Sequence, residues 1–362
     1  MFTVADARRC AVDLFMQSAM LKTQPRSSLT LDADVLLQHF LNKPRAWLFA
    51  HDDTDISPIR DAFCAAAKRR CTGLPIAYIT GKKDFWGLPF RVSPDVLIPK
   101  PDTELLVERS LAVIREKATA LRQEYPLFIL DPCTGSGCVA ISILHTLEAE
   151  GIRNICCIAA DISPAALAIA RLNAQRLLST ETQTRLHIIE GDMRALPETI
   201  ARFQKLLRLD ATPFPKAADR TSSPPLSAEN LRFDLIAANP PYVPSALTQE
   251  LLKDGRNEPA LALDGGSDGL DFIRILTNNT RTVLNCNGVL LSEVGEYHAQ
   301  AASKLFGTAG FSDVRIHQDL AGQDRLIEGV SEQPGVSQKP VTFSLSLTGH
   351  SERSCRKPDA LN

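Results

Sequence analysis

Four residues, Asn239-Pro240-Pro241-Tyr242, close the apolar run FDLIAA with an unusual set of groups. Asparagine carries an acceptor oxygen and a donor nitrogen on one short arm. Pro240 has no N–H, so its carbonyl is a free acceptor, and two consecutive prolines fix φ on both sides of it. Pro241 therefore stiffens the loop, and Tyr242 adds a flat aromatic face. Two rigid acceptors, the Asn239 side chain and the Pro240 carbonyl, suit the two hydrogens of a planar NH2 group. The nitrogen lone pair is then aimed at an electrophile. An amide nitrogen is a poor nucleophile because resonance delocalises that pair. A sulfonium methyl is electrophilic enough if the line of attack is held, and orientation contributes about 7–11 kcal/mol in well-aligned systems. Neither a metal nor a covalent nucleophile is needed. The plainer alternative is a rigid turn that ends a strand.

A second stretch, DPCTGSGCVAIS, places Gly135, Gly137 and Ala140 at the G-x-G-x-x-G/A spacing after a strand and before a helix. Glycines here let a ligand approach the backbone, and the helix start offers unpaired N–H groups. The alternative is an ordinary tight strand-to-helix turn. Asp161 follows Gly137 by 24 residues, at the end of the next strand-like run. A carboxylate there binds ribose hydroxyls, or else caps a helix, a task Ser163 can also perform. Asp192 and Met193 end a third run, on the side expected for adenine. Met193 reads equally as core. These signals imply an adenosine-type cofactor and leave a nicotinamide dinucleotide and S-adenosyl-L-methionine both open. Asn239, at the end of the fourth run on the same edge, decides for S-adenosyl-L-methionine, because a nicotinamide reading leaves the NPPY loop without a task.

The elements that hold these residues follow an α/β pattern. The runs LFIL, NICCIAAD, RLHIIEGD, FDLIAAN and GVLLSEV are continuously apolar and mostly separated by helical stretches such as SPAALAIARLNAQRLL. That pattern predicts a mostly parallel sheet covered on both faces. DVRIHQ and RLIEGV, close together, predict an antiparallel pair at one edge. Residues 1–75 read as short helices forming their own unit. Residues 76–100, with β-branched and aromatic residues around Gly81 and Gly87, read as a hairpin-like linker. A helix is expected near Pro101, with Asp102 and Glu104 in its first turn. The catalytic unit then spans 101–330. Within it, 201–230 is expected to be a surface loop insertion, from its Pro, Ser and Ala content. Residues 331–362 lack periodicity and read as a disordered tail.

Length and composition set the outer bounds. The chain has 362 residues, a formal net charge of −2, 44% hydrophobic and 23% charged residues. This is ordinary for a globular protein and argues against coating nucleic acid by bulk charge. Nine cysteines without a C-x-x-C spacing suggest neither a zinc site nor a disulfide framework. Reduced thiols, no signal peptide and no apolar stretch of membrane length make the expected location cytoplasmic, with no membrane partner.

Together, DPCTGSG, NPPYV, PIAYITGKKDFWGLPFRVSPDVLIPKPDTE and NEPALALDGGSDGLDF resemble the peptide chain release factor glutamine methyltransferases, the HemK/PrmC type of protein methyltransferase, over roughly residues 30–330. NPPY by itself is shared with amino-methylating enzymes of DNA and RNA. The two longer blocks are far more specific. The resemblance implies an N-terminal helical domain that recognises substrate, a β-hairpin, and a seven-stranded class I methyltransferase (Rossmann-like) domain. It implies methyl transfer from S-adenosyl-L-methionine to the glutamine amide of the GGQ motif in class I release factors. It also implies cofactor contacts at Cys133–Gly137, Asp161, Met193 and Asn239, and a substrate amide held by Asn239 and Pro240 with Tyr242 shaping the pocket.

Some positions depart from the family's usual pattern. Pro132-Cys133 stands where Leu-Gly is common, Met193 where an aromatic is common, and Lys100 where an arginine is common. Glu258 is expected to hold its loop, Phe85 and Trp86 to pack the hairpin, and His145 and His298 to take ordinary helix positions. The competing functions are amino-group methylation of adenine or guanine in nucleic acid, a nicotinamide oxidoreductase, and a non-catalytic binding protein. No direct nucleic-acid contact is expected.

Overall fold

Thr3 and Asp6 close a reciprocal cap on the first helix, α1 (Val4–Gln17): the Thr3 hydroxyl accepts from the Asp6 N–H, and the Asp6 carboxylate accepts from the Thr3 N–H, each at 3.1 Å. Such a cap satisfies N–H groups that a helix start leaves open. Helices α2 (Arg26–Leu41), α3 (Arg45–Ala50), α4 (Arg60–Arg70) and α5 (Ile76–Thr80) follow. The first four share one core, with Ala7, Phe15, Leu36, Leu37, Leu48 and Phe63 buried. This computed structural model describes residues 1–120, 126–209 and 231–332.

Residues 76–80 differ from the hairpin expected there. Pro75 starts a helical turn and Gly81 ends it in the left-handed conformation at φ +66°. These two stops outweigh the strand preference of the β-branched residues between them. The hairpin is shorter, β1 (Lys82–Phe85) against β2 (Leu88–Arg91). Its turn, Trp86-Gly87, has φ of +52° and +70°, a mirror-image turn that matches strand twist. The Trp86 N–H donates to Glu104 Oε1 at 2.8 Å and its indole N–H to Thr146 at 2.9 Å. Phe85 packs edge-on to Phe90. Both aromatic residues serve the hairpin.

A 3-10 turn at Pro101–Thr103 leads into α6 (Glu104–Ala120). Then come β3 (Leu127–Asp131), α7 (Cys138–Ala149), β4 (Ile155–Asp161), α8 (Pro164–Leu177), α9 (Thr180–Gln183), β5 (Leu186–Glu190), α10 (Leu196–Leu209), β6 (Phe233–Ala238), α11 (Ser245–Leu251), α12 (Asp271–Thr280), β7 (Leu284–Glu293), α13 (Ala299–Thr308), β8 (Phe311–Gln318) and β9 (Asp324–Ser331). The seven-stranded sheet runs β5-β4-β3-β6-β7-β9-β8. The first five are parallel, and β9 joins β7 and β8 antiparallel, giving the mixed edge expected from DVRIHQ and RLIEGV.

Alternation explains why the central strands are apolar throughout. Along β3, Leu127 and Ile129 enter the core under α6, α7 and α8, while Phe128 and Leu130 enter the core under α10, α12 and α13. Successive side chains point to opposite faces, and both faces are covered. Leu196, Ile200 and Phe203 recur at helical spacing and bury in the second core. For that reason residues 201–209 belong to α10 rather than to a loop insertion. The remainder of that expected insertion, 210–230, and the expected tail from 333 lie outside the described residues.

The parallel strands β3, β4, β5 and β6 all end on one edge, so Asp131, Asp161, the residues after Glu190, and Asn239 meet there. This is where an open α/β sheet binds ligands.

Candidate active site

The glycine turn begins with Asp131, 2% exposed. Its Oδ2 accepts from the Thr134 hydroxyl at 2.8 Å, and its Oδ1 faces the Cys133 N–H at 3.4 Å. Burial pushes its carboxyl up to about 7, opposed by these hydrogen bonds. The Thr134 N–H donates to the Ala160 carbonyl at 2.9 Å, tying the turn to β4. Gly137 has φ +81°, and a Cβ there would stand 2.8 Å from Ile141 Cδ1. Gly135, at φ +52°, has nothing within 4 Å of where its Cβ would be. One glycine thus serves packing and the other leaves the cleft open.

Asp161 sits opposite. Its Oδ2 accepts from the Gly135 N–H at 2.8 Å and its Oδ1 from the Ser163 N–H at 2.9 Å. The Ser163 side chain caps α8 by accepting from the Ala166 N–H, so the cap does not need Asp161. Each carboxylate oxygen keeps acceptor capacity for a ligand hydroxyl. Burial raises its carboxyl.

One cleft is lined by Cys133, Gly135, Ser136, Asp161, Met193 and Asn239. Met193 is 6% exposed and packs with Ala238 and Leu276, beside Cys133 and Phe272. It is both core and cleft wall. Asp192 also lines the cleft but is engaged by Arg194 at 2.7 Å. Burial pushes the Cys133 thiol well up and the Cys138 thiol to about 12, so neither is a thiolate nucleophile at neutral pH. No group of acidic, His and Cys side chains able to hold a metal occurs among the described residues.

The cleft fits an adenosine-type cofactor. A carboxylate pinned by two backbone N–H groups faces a glycine whose Cβ position is empty. The buried Ser136 hydroxyl in the lining has no partner at strict hydrogen-bond distance and angle, only the weak Cys138 thiol beside it. A buried hydroxyl with so weak a partner has hydrogen-bonding capacity left for a polar ligand.

The NPPY loop completes the cleft differently. Asn239 and Pro241 line it, Pro240 beside them is buried, and Tyr242 is half-buried. Asn239 Nδ2 donates to the Thr103 hydroxyl at 3.0 Å. The Tyr242 hydroxyl donates to Glu293 Oε1 at 3.0 Å, and burial beside that carboxyl pushes the phenol well up. Tyr242 therefore braces the loop from beneath, where the sequence suggested a stacking face. The NEPALALDGGSDGLDF block backs the same loop. Val243 and Asp264 form a parallel bridge, and a Cβ on Gly265 would stand 2.7 Å from Tyr242 Cα. Glu258, 4% exposed, is held by Lys100 at 2.6 Å and Arg256 at 3.4 Å and holds the loop start, as expected. Lys100 makes that contact through one nitrogen, as a lysine must.

Four contributors escaped the sequence reading. Asn173, fully buried in α8, accepts from the Arg91 N–H at 2.7 Å and donates to the Arg91 and Ser136 carbonyls at 3.0 and 2.9 Å. It ties the hairpin to the glycine turn. Thr103 orients Asn239, Glu293 anchors Tyr242, and Phe272 walls the cleft. For Asn173 and Glu293 the available signal was a polar side chain inside an apolar run, in IARLNA and LLSE, but it names no partner. His145 lies mid-helix in α7, and His298 precedes α13 beside Gly295.

Comparison with known proteins bears on this geometry. Residues 16–81 match the family described as the PrmC N-terminal domain. The chain is 34% identical over 306 residues to the release factor glutamine methyltransferase of Moorella thermoacetica, covering 82% of this chain and 89% of that one. It is 35% identical over 302 residues to the enzyme of the same name from Bordetella pertussis, covering 83% and 94%. Among solved structures, a methyltransferase from Pyrococcus furiosus shares 15% identity with a TM-score of 0.40, over 74% of this chain and 98% of that one. No helix among the described residues is long and apolar enough to cross a membrane.

Proposed function

We propose a reaction and a substrate for a chain that belongs to the release factor glutamine methyltransferase family. The reaction is methylation of a glutamine side-chain amide nitrogen, the substrate is the GGQ glutamine of a class I peptide chain release factor, and the methyl donor is S-adenosyl-L-methionine. One observation carries the reading. The Asn239 carboxamide stands in the same cleft as the pinned Asp161 carboxylate and the open face of Gly135.

Asp161 and the backbone of Cys133–Gly137 would hold the donor's ribose and amino-acid portions, with Met193 and Phe272 against its base. When bound, S-adenosyl-L-methionine supplies an electrophilic methyl: the C–N bond forms, the S–C bond breaks with its pair left on sulfur, and one proton leaves the nitrogen. Asn239 Oδ1 and the Pro240 carbonyl accept the two amide hydrogens and fix the nitrogen's direction. Pro241 keeps that carbonyl from turning, and Tyr242 holds the loop down on Glu293. An N-protonated amide is strongly acidic, so water takes the proton and no buried base is required. We assign recognition of the release factor to the helical unit of residues 1–75, and place the reaction in the cytoplasm, where the substrate works.

The test uses purified protein, labelled S-adenosyl-L-methionine and three acceptors: a release factor, its GGQ Gln→Ala variant, and duplex DNA. Label confined to the unaltered release factor is expected. Label in DNA supports the nucleic-acid amino-methyltransferase instead, and equal label in the Gln→Ala variant removes the GGQ assignment.

A further inference from the structure

An asparagine clamp has a directional weakness. Its carboxamide presents an acceptor on one side and a donor on the other, and a half-turn about the last bond exchanges them. Only the orientation with Oδ1 toward the cleft can accept an amide hydrogen. Something must therefore select it.

The polar groups behind Asn239 form a short chain. Asn239 Nδ2 donates to Thr103 Oγ1 at 3.0 Å, and Thr103 is 1% exposed. A threonine hydroxyl that accepts still has one hydrogen to place. The Thr103 hydroxyl also stands near enough to Glu293 to favour its charged form, while the buried Glu293 Oε2 has no partner at strict hydrogen-bond distance and angle. Glu293 is itself 1% exposed, and its Oε1 accepts the Tyr242 hydroxyl. An ionised carboxylate only accepts. It draws the Thr103 hydrogen toward itself, leaving Thr103 to accept from Asn239 Nδ2 and Oδ1 to face the cleft.

Resting on the function proposed above, we propose that Thr103 and Glu293 are positioning residues that set which face of the Asn239 carboxamide meets the substrate amide. A protonated Glu293 reverses the chain. It donates to Thr103, whose hydrogen then points at Asn239, and the carboxamide turns its nitrogen to the cleft. Two donors then face each other and the amide is no longer gripped.

The groups around Glu293 are few. Tyr242 lies on the NPPY loop, Asp102 and Thr103 on the turn before α6, and Arg325 on β9. Cys133 of the glycine turn and Cys138 at the start of α7 also feel its charge. Arg325 favours ionisation, but it is shared with Asp102, Glu296 and Asp319 at 3.3–3.5 Å. Burial outweighs it and pushes the Glu293 carboxyl up to about 7.

The experiment measures turnover of an unmodified release factor at saturating S-adenosyl-L-methionine, with cofactor affinity determined separately by calorimetry. Thr103→Val is expected to lower kcat about 10- to 100-fold, as loss of a supporting partner commonly does, with cofactor Kd within about threefold. Thr103→Ser restores the hydroxyl and most of kcat. Wild-type turnover rises through about pH 7, and Glu293→Gln is slow and lacks that limb. Asp131 titrates in the same range and remains in both variants, so its loss assigns the limb to Glu293. Normal kcat in Thr103→Val, a serine variant as slow as the valine one, or an unchanged pH limb in Glu293→Gln overturns the proposal. If Thr103→Val does not fold, the serine and Gln variants decide it by the same criteria. A wild-type protein that fails to methylate the release factor in this assay fails the proposed function first, which separates the two conclusions.

Discussion

The two halves of the cleft are built in opposite ways. The cofactor half is mostly local: Asp131, Thr134, Gly135 and Gly137 belong to one turn, joined to the adjacent strand at Ala160 and Asp161 and to α8 through Asn173. The substrate half is assembled from afar. Asn239 leans on Thr103, 136 positions away, and Tyr242 on Glu293, 51 positions away. Gly265 and Gly269 press on the backbone of Tyr242 from a third segment. The first half is a motif, while the second is an agreement among segments that only the fold brings together. Changes in one half should therefore leave the other's ligand unaffected.

The largest separation is expected from Asn239→Ala. Loss of one preorganised contact should lower kcat by about 10²–10³-fold. Cofactor Kd, by calorimetry, should stay within about threefold, and a comparable loss in Kd would merge the two halves. Asp161→Ala inverts the pattern. Losing an acceptor for ribose hydroxyls, at about 1.5–3 kcal/mol for charged hydrogen bonds, should weaken cofactor binding by about 10- to 100-fold. Release-factor affinity in a pull-down should be unmoved. If it falls in parallel, the cleft is one cooperative unit.

A smaller effect tests the distant support. In Gly265→Ala the new Cβ meets Tyr242 Cα at 2.7 Å, so backbone must shift. Overpacking of this kind costs about 1–3 kcal/mol. A lower melting temperature and reduced kcat with intact cofactor binding are expected, and wild-type kcat would show that the NPPY loop tolerates displacement.

The smallest effect concerns pH. Folding raises the Asp131 carboxyl from its ordinary value of 3.8 to about 7 because burial disfavours the charge. An acid whose pKa rises on folding stabilises the fold fully below its unfolded value, and that contribution is lost as pH rises through about 7. In urea melts, Asp131→Asn should therefore gain on the wild type between about pH 4 and pH 7. A relative loss over that window would reverse the assigned sign.

Much of this was legible before any coordinates. Continuously apolar runs alternating with helices specify the sheet, since burial on both faces demands them. Gly135, Gly137, Asp161 and Asn239 stand out because strand ends share one edge. The short helix at 76–80 was misread because Pro75 and Gly81 act through local backbone geometry that outweighs residue preference. The helical stretch 201–209 was hidden by the composition of the residues after it.

The sequence by itself determined the sheet, the glycine turn and the place of the NPPY loop at a strand end, because those depend on contacts between near neighbours or on strand order. Only the tertiary structure decided which way Tyr242 faces, what pins Asn239 and why Glu293 is buried without a full set of partners. Such roles arise when side chains far apart along the chain are desolvated together. Their hydrogen bonds then have to close among themselves, a constraint that leaves no periodic trace in the order of residues.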